Sequence, residues 1–225
     1  VVLLFIILIK QSFLAIKTFN FKFFIETTWD PVFEKFGALP FIYGTLVTSF
    51  LALFISVPIS ISVGLFLSEF AEKRLKEFLT VVISLLAAIP SVIYGLWGIF
   101  VLAPIMRSYI GPILQKFFGF LPFFQGNIYG LDFLSASIVL SVMITPTISS
   151  ISKELFDAVP KNLKEAALAL GATKYEMIKI SVLKTTKIGI IAAILLGLGR
   201  AIGETMAVTM IIGNVPNISL SLFSS

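Results

Sequence analysis

Apolar runs long enough to cross a bilayer constrain this chain more than any other feature. Four can be placed, at roughly residues 41–67, 78–106, 133–151 and 188–212. A helix needs about 20 such residues to cross roughly 30 Å of hydrocarbon. Few of the runs alternate as a transmembrane barrel strand would. The fold class read from this pattern is an all-α integral membrane protein, a polytopic helical bundle forming a single transmembrane domain over residues 1–225. Residues 1–9 are apolar but too short to cross; they are expected to end a truncated first helix, a partial span over about 1–17. The chain is accordingly expected to be a fragment of a longer membrane protein, truncated at both ends. Its composition agrees: 58% of residues are hydrophobic and 13% charged, where an average soluble domain has about 25% charged.

The residue types also exclude chemistry. There is no cysteine and no histidine, which removes disulfides, thiolate metal sites and the usual metal ligand and proton shuttle. No paired carboxylates, nucleophile with base, or metal-spaced cluster occurs, so no catalytic residue and no metal site are expected. No Gly-x-x-x-x-Gly-Lys-Ser/Thr loop exists either, so any ATP must bind elsewhere.

Charge sets the orientation. Lys73, Arg74 and Lys76 lie in one loop, and Lys153, Lys161, Lys164, Lys174, Lys179, Lys184 and Lys187 in another, 152–187. These loops fall on one side, which the positive-inside rule makes cytoplasmic. Trp29, Tyr43, Trp97 and Tyr109 are expected at the outer interface. The net charge of +5 then reports orientation, and no basic, aromatic-studded soluble face exists to bind nucleic acid.

Within the inner loop, Leu163, Ala166, Ala167 and Leu170 recur at helical spacing after Pro160. Gly171 follows where a left-handed C′ residue is wanted, and Thr173 to Glu176 fits a capping box opening a second helix. Alanines keep this face low, so a partner backbone could approach with Glu165 at the rim. An amphipathic pair lying on the membrane surface is the alternative.

Arg200 and Glu204 stand four residues apart in the last span and share a face if the helix is continuous. Gly197, Gly203 and Ala207 would let other helices pack closely around them. A charge there costs at least about 2.5–3.5 kcal/mol on insertion scales, so it needs a reason. One is a self-satisfying Arg–Glu pair; the other is a guanidinium offering two parallel donors to an oxyanion, with Glu204 holding it. Ser137, Ser141, Thr145 and Ser149 recur every four residues and read first as hydroxyls bonding their own helix, second as a polar path. Pro58, Pro90 and Pro146 are expected to kink their spans. Asp132 and the Gly-, Pro- and Phe-rich stretch 111–130 form an expected outer loop that could meet an external protein.

The spacing Glu165-Ala166-Ala167, Gly171, then Val182-Leu183 resembles the EAA loop of ABC importer permeases. Ser181 and Lys184 stand where that family usually has an aliphatic residue and a proline. The resemblance implies a cytoplasmic coupling-helix loop, with Glu165, Ala166, Ala167 and Gly171 as ATPase-coupling residues. The string Leu198-Gly-Arg-Ala-Ile-Gly-Glu-Thr-Met-Ala-Val-Thr-Met-Ile-Ile-Gly-Asn214, with residues 42–49 and 88–104, resembles the PstC-type permease family of phosphate-specific ABC importers. This covers most of the chain after about Pro40. It implies a substrate-pathway role for Arg200 and Glu204, alternating access, and a location in the cytoplasmic (inner) membrane of a prokaryote. It further implies a second, PstA-like permease subunit, ATPase subunits and an extracytoplasmic phosphate-binding protein as partners. This chain would itself bind no cofactor, ATP and Mg lying in the partner ATPase. A permease for another oxyanion, a secondary carrier or channel uncoupled from ATP, and a membrane enzyme are the alternatives.

Overall fold

The computed structural model describes all residues except Val1, Asn214, Asn217, Leu220 and Ser225. Val1 of the expected first span, Asn214 at the end of the 198–214 string and Ser225 thus lie outside the described residues. Among those described, five helices are long and apolar enough to cross a membrane.

The first, α1, is Val2–Phe19, with no buried residue. Its bounds are close to those of the partial span expected, but it is long and apolar enough to cross by itself, because Lys10, Gln11 and Lys17 do not interrupt it. Long lysine stems can lie along apolar surface and carry their charge to its edge. A helical turn, Lys22–Ile25, and a hairpin follow, the latter pairing β1, Trp29–Asp30, with β2, Lys35–Phe36. Asp30 Oδ1 accepts from the Val32 N–H at 2.9 Å, which fixes the turn around Pro31.

The bundle proper comprises α2, Leu39–Phe70; α3, Lys73–Ala88; α4, Ser91–Phe118; α5, Phe133–Asp157; α6, Lys161–Ala169; α7, Lys174–Gly203; and α8, Met206–Ile212. The expected span 78–106 is two helices meeting at Ile89–Pro90, where proline has no N–H to continue the ladder. The chain still climbs through both. Lys76 of α3 pairs with Asp157 at the basic end, and Gly98 of α4 lies against Val139, well up α5. The outer loop expected at 107–132 is helical as far as Phe118, and the inner loop expected from 152 is helical as far as Asp157. Pro58 and Pro146, by contrast, lie inside continuous helices. The bilayer rewards an unbroken helix wherever neighbours can satisfy the freed carbonyl.

The core runs along α5, whose Ala136, Val139, Leu140, Met143, Ile144 and Ile148 are all buried. Its main partner is α2, which presents the small residues Ser49, Ala52, Ser56, Ser60 and Gly64. A Cβ on Gly64 would stand 3.1 Å from the Lys153 nitrogen, so the two backbones touch there. Small residues permit that approach, and van der Waals packing supplies the attraction that lipid cannot. The hydroxyl row on α5 serves its own helix: Ser137 and Thr145 donate to carbonyls at i−4, Ser141 and Ser149 to those at i−3. The polar-path alternative gains nothing from this geometry.

At the end away from the basic loops, Ser219, Leu222 and Ser224, beyond α8, lie over the bundle. The Leu222 N–H donates to the Phe123 carbonyl and the Phe133 N–H to that of Ser224, while Tyr43 Oη donates to the Ser219 carbonyl. Asp132 is fully buried beneath them, accepting from the Ser135 N–H and hydroxyl, both at 2.8 Å. Burial pushes its carboxyl up, opposed by those donors. This corrects its expected availability to an external protein; it is the N-cap of α5. Trp97 lines a hollow with Ile89, Ile93 and, from α5, Val142.

Because the chain has no cysteine, introduced thiols report topology directly. Lys73→Cys and Lys161→Cys should react with an impermeant maleimide only after the inner face is opened, and Phe120→Cys from outside. External labelling of Lys161→Cys would invert the orientation.

Candidate functional site

Two places stand out, and one helix joins them. At the basic end, α6 begins after Pro160, whose φ of −57° suits the start of a helix, and ends at Leu170. Gly171 has φ +86°. Its N–H donates to the Leu168 carbonyl at 3.0 Å, and the Ala172 N–H donates to that of Ala167 at 3.2 Å. This is a Schellman closure, and it needs a residue that tolerates the left-handed region. Thr173 then caps α7: its hydroxyl accepts from the Glu176 N–H, and Glu176 Oε2 accepts from the Thr173 N–H at 2.8 Å.

The helix–glycine–helix corner expected from sequence is therefore present. Glu165, Ala166 and Gly171 are exposed, and Ala167 is half-buried. Nothing lies within 4 Å of where a Gly171 Cβ would be. Leu170 is 90% exposed and Tyr175 74%, so the corner offers apolar surface outward. Its underside rests on Phe156, Val159, Met177, Ile178 and Val182. Ser181, the departure from the usual aliphatic residue, is buried and donates to the Leu163 carbonyl at 3.3 Å. The polar side chain thus ties one arm of the corner to the other.

The second place is the upper end of α7. That helix is continuous from Lys174 to Gly203, with a π-helical turn at Ile178–Leu183. The corner and Arg200 are therefore carried by one rod, about 39 Å between Lys174 and Arg200 at 1.5 Å per residue. Gly197 packs against Ile148, where a Cβ would come within 2.6 Å of the isoleucine side chain.

Arg200 and Glu204 do not share a helical face. The helix ends at Gly203, and Glu204 has extended backbone, ψ 115°. No ion pair joins the two residues among those described. Arg200 Nη1 instead donates to Thr147 Oγ1 at 2.7 Å and Nη2 to the Ala87 carbonyl at 3.4 Å. The reason is local: the Ile89–Pro90 break leaves the last carbonyls of α3 without helical donors. The Leu86 carbonyl is taken by the Ile89 N–H and by Tyr94 Oη; that of Ala87 is taken by Arg200. Thr147 stands about 21 Å along α5 from Phe133, near its middle. Of the five guanidinium N–H groups, these contacts engage two.

Glu204 turns to the next helix. One carboxylate oxygen accepts from the Ala207 N–H at 3.1 Å, which satisfies one of the free N–H groups in the first turn of α8. Its side chain also lines a cavity of about 240 Å³ toward the outer end, with Pro40, Thr45, Thr205 and Thr209. Sequence reasoning missed Thr147 and the Ala87 carbonyl. Pro90 was the signal: a proline that ends a helix inside a bilayer strands carbonyls, and stranded carbonyls call for a donor.

The family described as binding-protein-dependent transport system inner membrane component matches residues 56–224. The chain is 45% identical, over 96% of its length and 68% of the relative's, to the phosphate transport system permease protein PstC of Mesorhizobium japonicum. It is 46% identical to the protein of that name in Haemophilus influenzae, over 96% of this chain and 70% of the relative. It is 38% identical to a probable phosphate transport system permease protein PstC of Methanocaldococcus jannaschii, over 93% and 68%.

Proposed function

Since this chain belongs to the family of binding-protein-dependent transport system inner membrane components, we propose that it is the permease subunit of an ATP-driven importer that moves inorganic phosphate across the cytoplasmic membrane by alternating access. The observation that carries this reading is the single helix α7, which has an exposed docking corner at one end and a mid-bundle guanidinium at the other. A push on the corner is delivered toward Arg200 along this one helix. ATP and Mg²⁺ belong to separate ATPase subunits that receive Glu165, Ala166, Ala167 and Gly171; this chain binds no cofactor. A second, PstA-like permease completes the path, and an extracytoplasmic phosphate-binding protein delivers the anion to the outer end.

The groups then divide the work of passage. A phosphate entering from outside meets the cavity lined by Glu204, Thr45, Thr205 and Thr209 before it meets Arg200. The guanidinium supplies planar, paired donors matched to two phosphate oxygens, and Thr147 with the Ala87 carbonyl holds its plane. Glu204 does not restrain the arginine; its carboxylate is an acceptor. Hydrogen phosphate carries a P–OH proton that such an acceptor can receive, whereas sulfate carries none at neutral pH. A site built to pair with a donor rejects the analogue that lacks it.

The test is uptake of labelled phosphate by the reconstituted assembly, with sulfate and molybdate as competitors. Phosphate should be taken up only with ATP, and sulfate should compete poorly. Glu204→Gln should narrow the preference for phosphate over sulfate by about tenfold, the scale of one charge-assisted hydrogen bond. ATP-independent uptake would favour a secondary carrier.

A further inference from the structure

The coupling corner is not loosely attached to the bundle. Lys164, one residue before Glu165, pairs with Glu69 Oε1 at 2.5 Å and reaches the Phe156 carbonyl at 3.4 Å. Glu69 lies in the π-helical turn Phe66–Phe70 that ends α2, and its side chain is only 7% exposed. The adjacent Ser68 hydroxyl is 3.1 Å from the same Glu69 oxygen and 2.9 Å from Asp157 Oδ1. Asp157, the last residue of α5, also pairs with Lys76 of α3 at 2.7 Å and with Lys153 at 3.3 Å. The second arm of the corner reaches the same turn: Lys174 Nζ stands 4.2 Å above the Phe70 ring. The single Ser68 O–H can donate to only one of these carboxylates at a time, so two ion-paired groups, Lys164–Glu69 and Lys76–Asp157–Lys153, share it as one polar network that connects α6 to α2, α5 and α3.

We propose that this network is the joint through which the coupling helices move the bundle, with Glu69 as its central positioning residue. Helix α7 carries force to Arg200 directly, but α2, α3 and α5 have no covalent continuity with the corner except through the turn at 158–160. To reopen the path they must move with α7. Apolar contact alone lets helices slide, because lipid is as apolar as leucine and exacts little for an exposed side chain. A half-buried ion pair resists sliding, since separating it leaves a charge in a poorly solvated place. The joint lies at this π-helical turn, whose Glu69 and Phe70 are the residues that meet the two arms, and turns of this kind recur at functional positions. The outer surfaces of Glu165, Ala166 and Gly171 remain free for the ATPase.

This inference rests on the coupling reading of the corner, and its test separates the two. The complete importer, with its second permease, ATPase and binding protein, is reconstituted in vesicles, and labelled phosphate moved per ATP hydrolysed is measured. Glu69→Gln and Lys164→Glu should each lower that ratio about tenfold, within the range of coupling free energies between sites. ATPase co-purification and basal ATP hydrolysis should be unchanged. The double variant Glu69→Lys with Lys164→Glu restores the pair and should recover most of the ratio, which a merely misfolded joint would not do. Ser68→Ala cuts the middle of the network without removing a charge and should give an intermediate loss; it decides the matter if the charged variants fail to assemble. A normal ratio in Glu69→Gln, or no recovery in the double variant, overturns the joint while leaving the coupling reading intact. An unaltered assembly that hydrolyses ATP without moving phosphate overturns both.

Discussion

Gly171→Pro is expected to abolish phosphate uptake while the spans insert normally. Proline holds φ near about −65°, whereas this position has φ +86°, and it lacks the N–H that closes the helix end on Leu168. The corner cannot form, so α6 and α7 leave it at a different angle. The bundle should survive, because nothing lies within 4 Å of where a Gly171 Cβ would be and the core lies along α5. Co-purification with the ATPase should fall with uptake, and measuring both from one membrane preparation is the check. Gly171→Asn, which tolerates the left-handed region, should retain a substantial part of both. Normal uptake by the proline variant would remove the corner from coupling.

The second large effect concerns Arg200. Arg200→Lys keeps the charge but loses the fork, and an ammonium cannot hold Thr147 Oγ1, the Ala87 carbonyl and two phosphate oxygens in one plane. Loss of a desolvated charge-assisted pairing costs about 2–5 kcal/mol, and about 1.4 kcal/mol is tenfold, so uptake should fall roughly thirtyfold or more. Basal ATP hydrolysis should persist, because the corner is about 39 Å away along α7. Initial uptake rates against phosphate concentration give the answer. A lysine variant that transports like the unaltered chain would leave Arg200 as a clamp on the α3 break and nothing more.

Much of this arrangement is legible in the residues. The apolar runs yield the bundle because each is about as long as a crossing needs or longer, and Gly171 with Thr173 and Glu176 yields the corner because their chemistry is local. The hydroxyl row on α5 behaves as i−3 and i−4 bonding dictates. What fails is non-local. Gly203 is a helix-ending residue type, but Gly197 and Gly199 lie in the same helix without ending it, so packing selects the end between Arg200 and Glu204: Ala207 lies against Gly95, and Ile211 against Gly98. Three prolines look alike in sequence, yet only Pro90 ends a helix. Pro58 and Pro146 lie on the two helices that pack most extensively against each other, and mutual packing keeps those helices whole. The Lys164–Glu69 pair spans 95 positions, a separation at which no local pattern speaks.

The packing of α2 on α5 also has a consequence in time. The Ser60 hydroxyl meets the Thr145 carbonyl 85 positions later in the chain. Synthesis at about 5–20 residues per second separates the two by roughly 4–17 seconds. During that interval α2 must reside in the bilayer with Ser49, Ser56, Ser60 and Gly64 turned toward lipid or a membrane chaperone. A substitution that makes this face more polar therefore acts first on insertion of the nascent chain, before the helix it will pack against has been made.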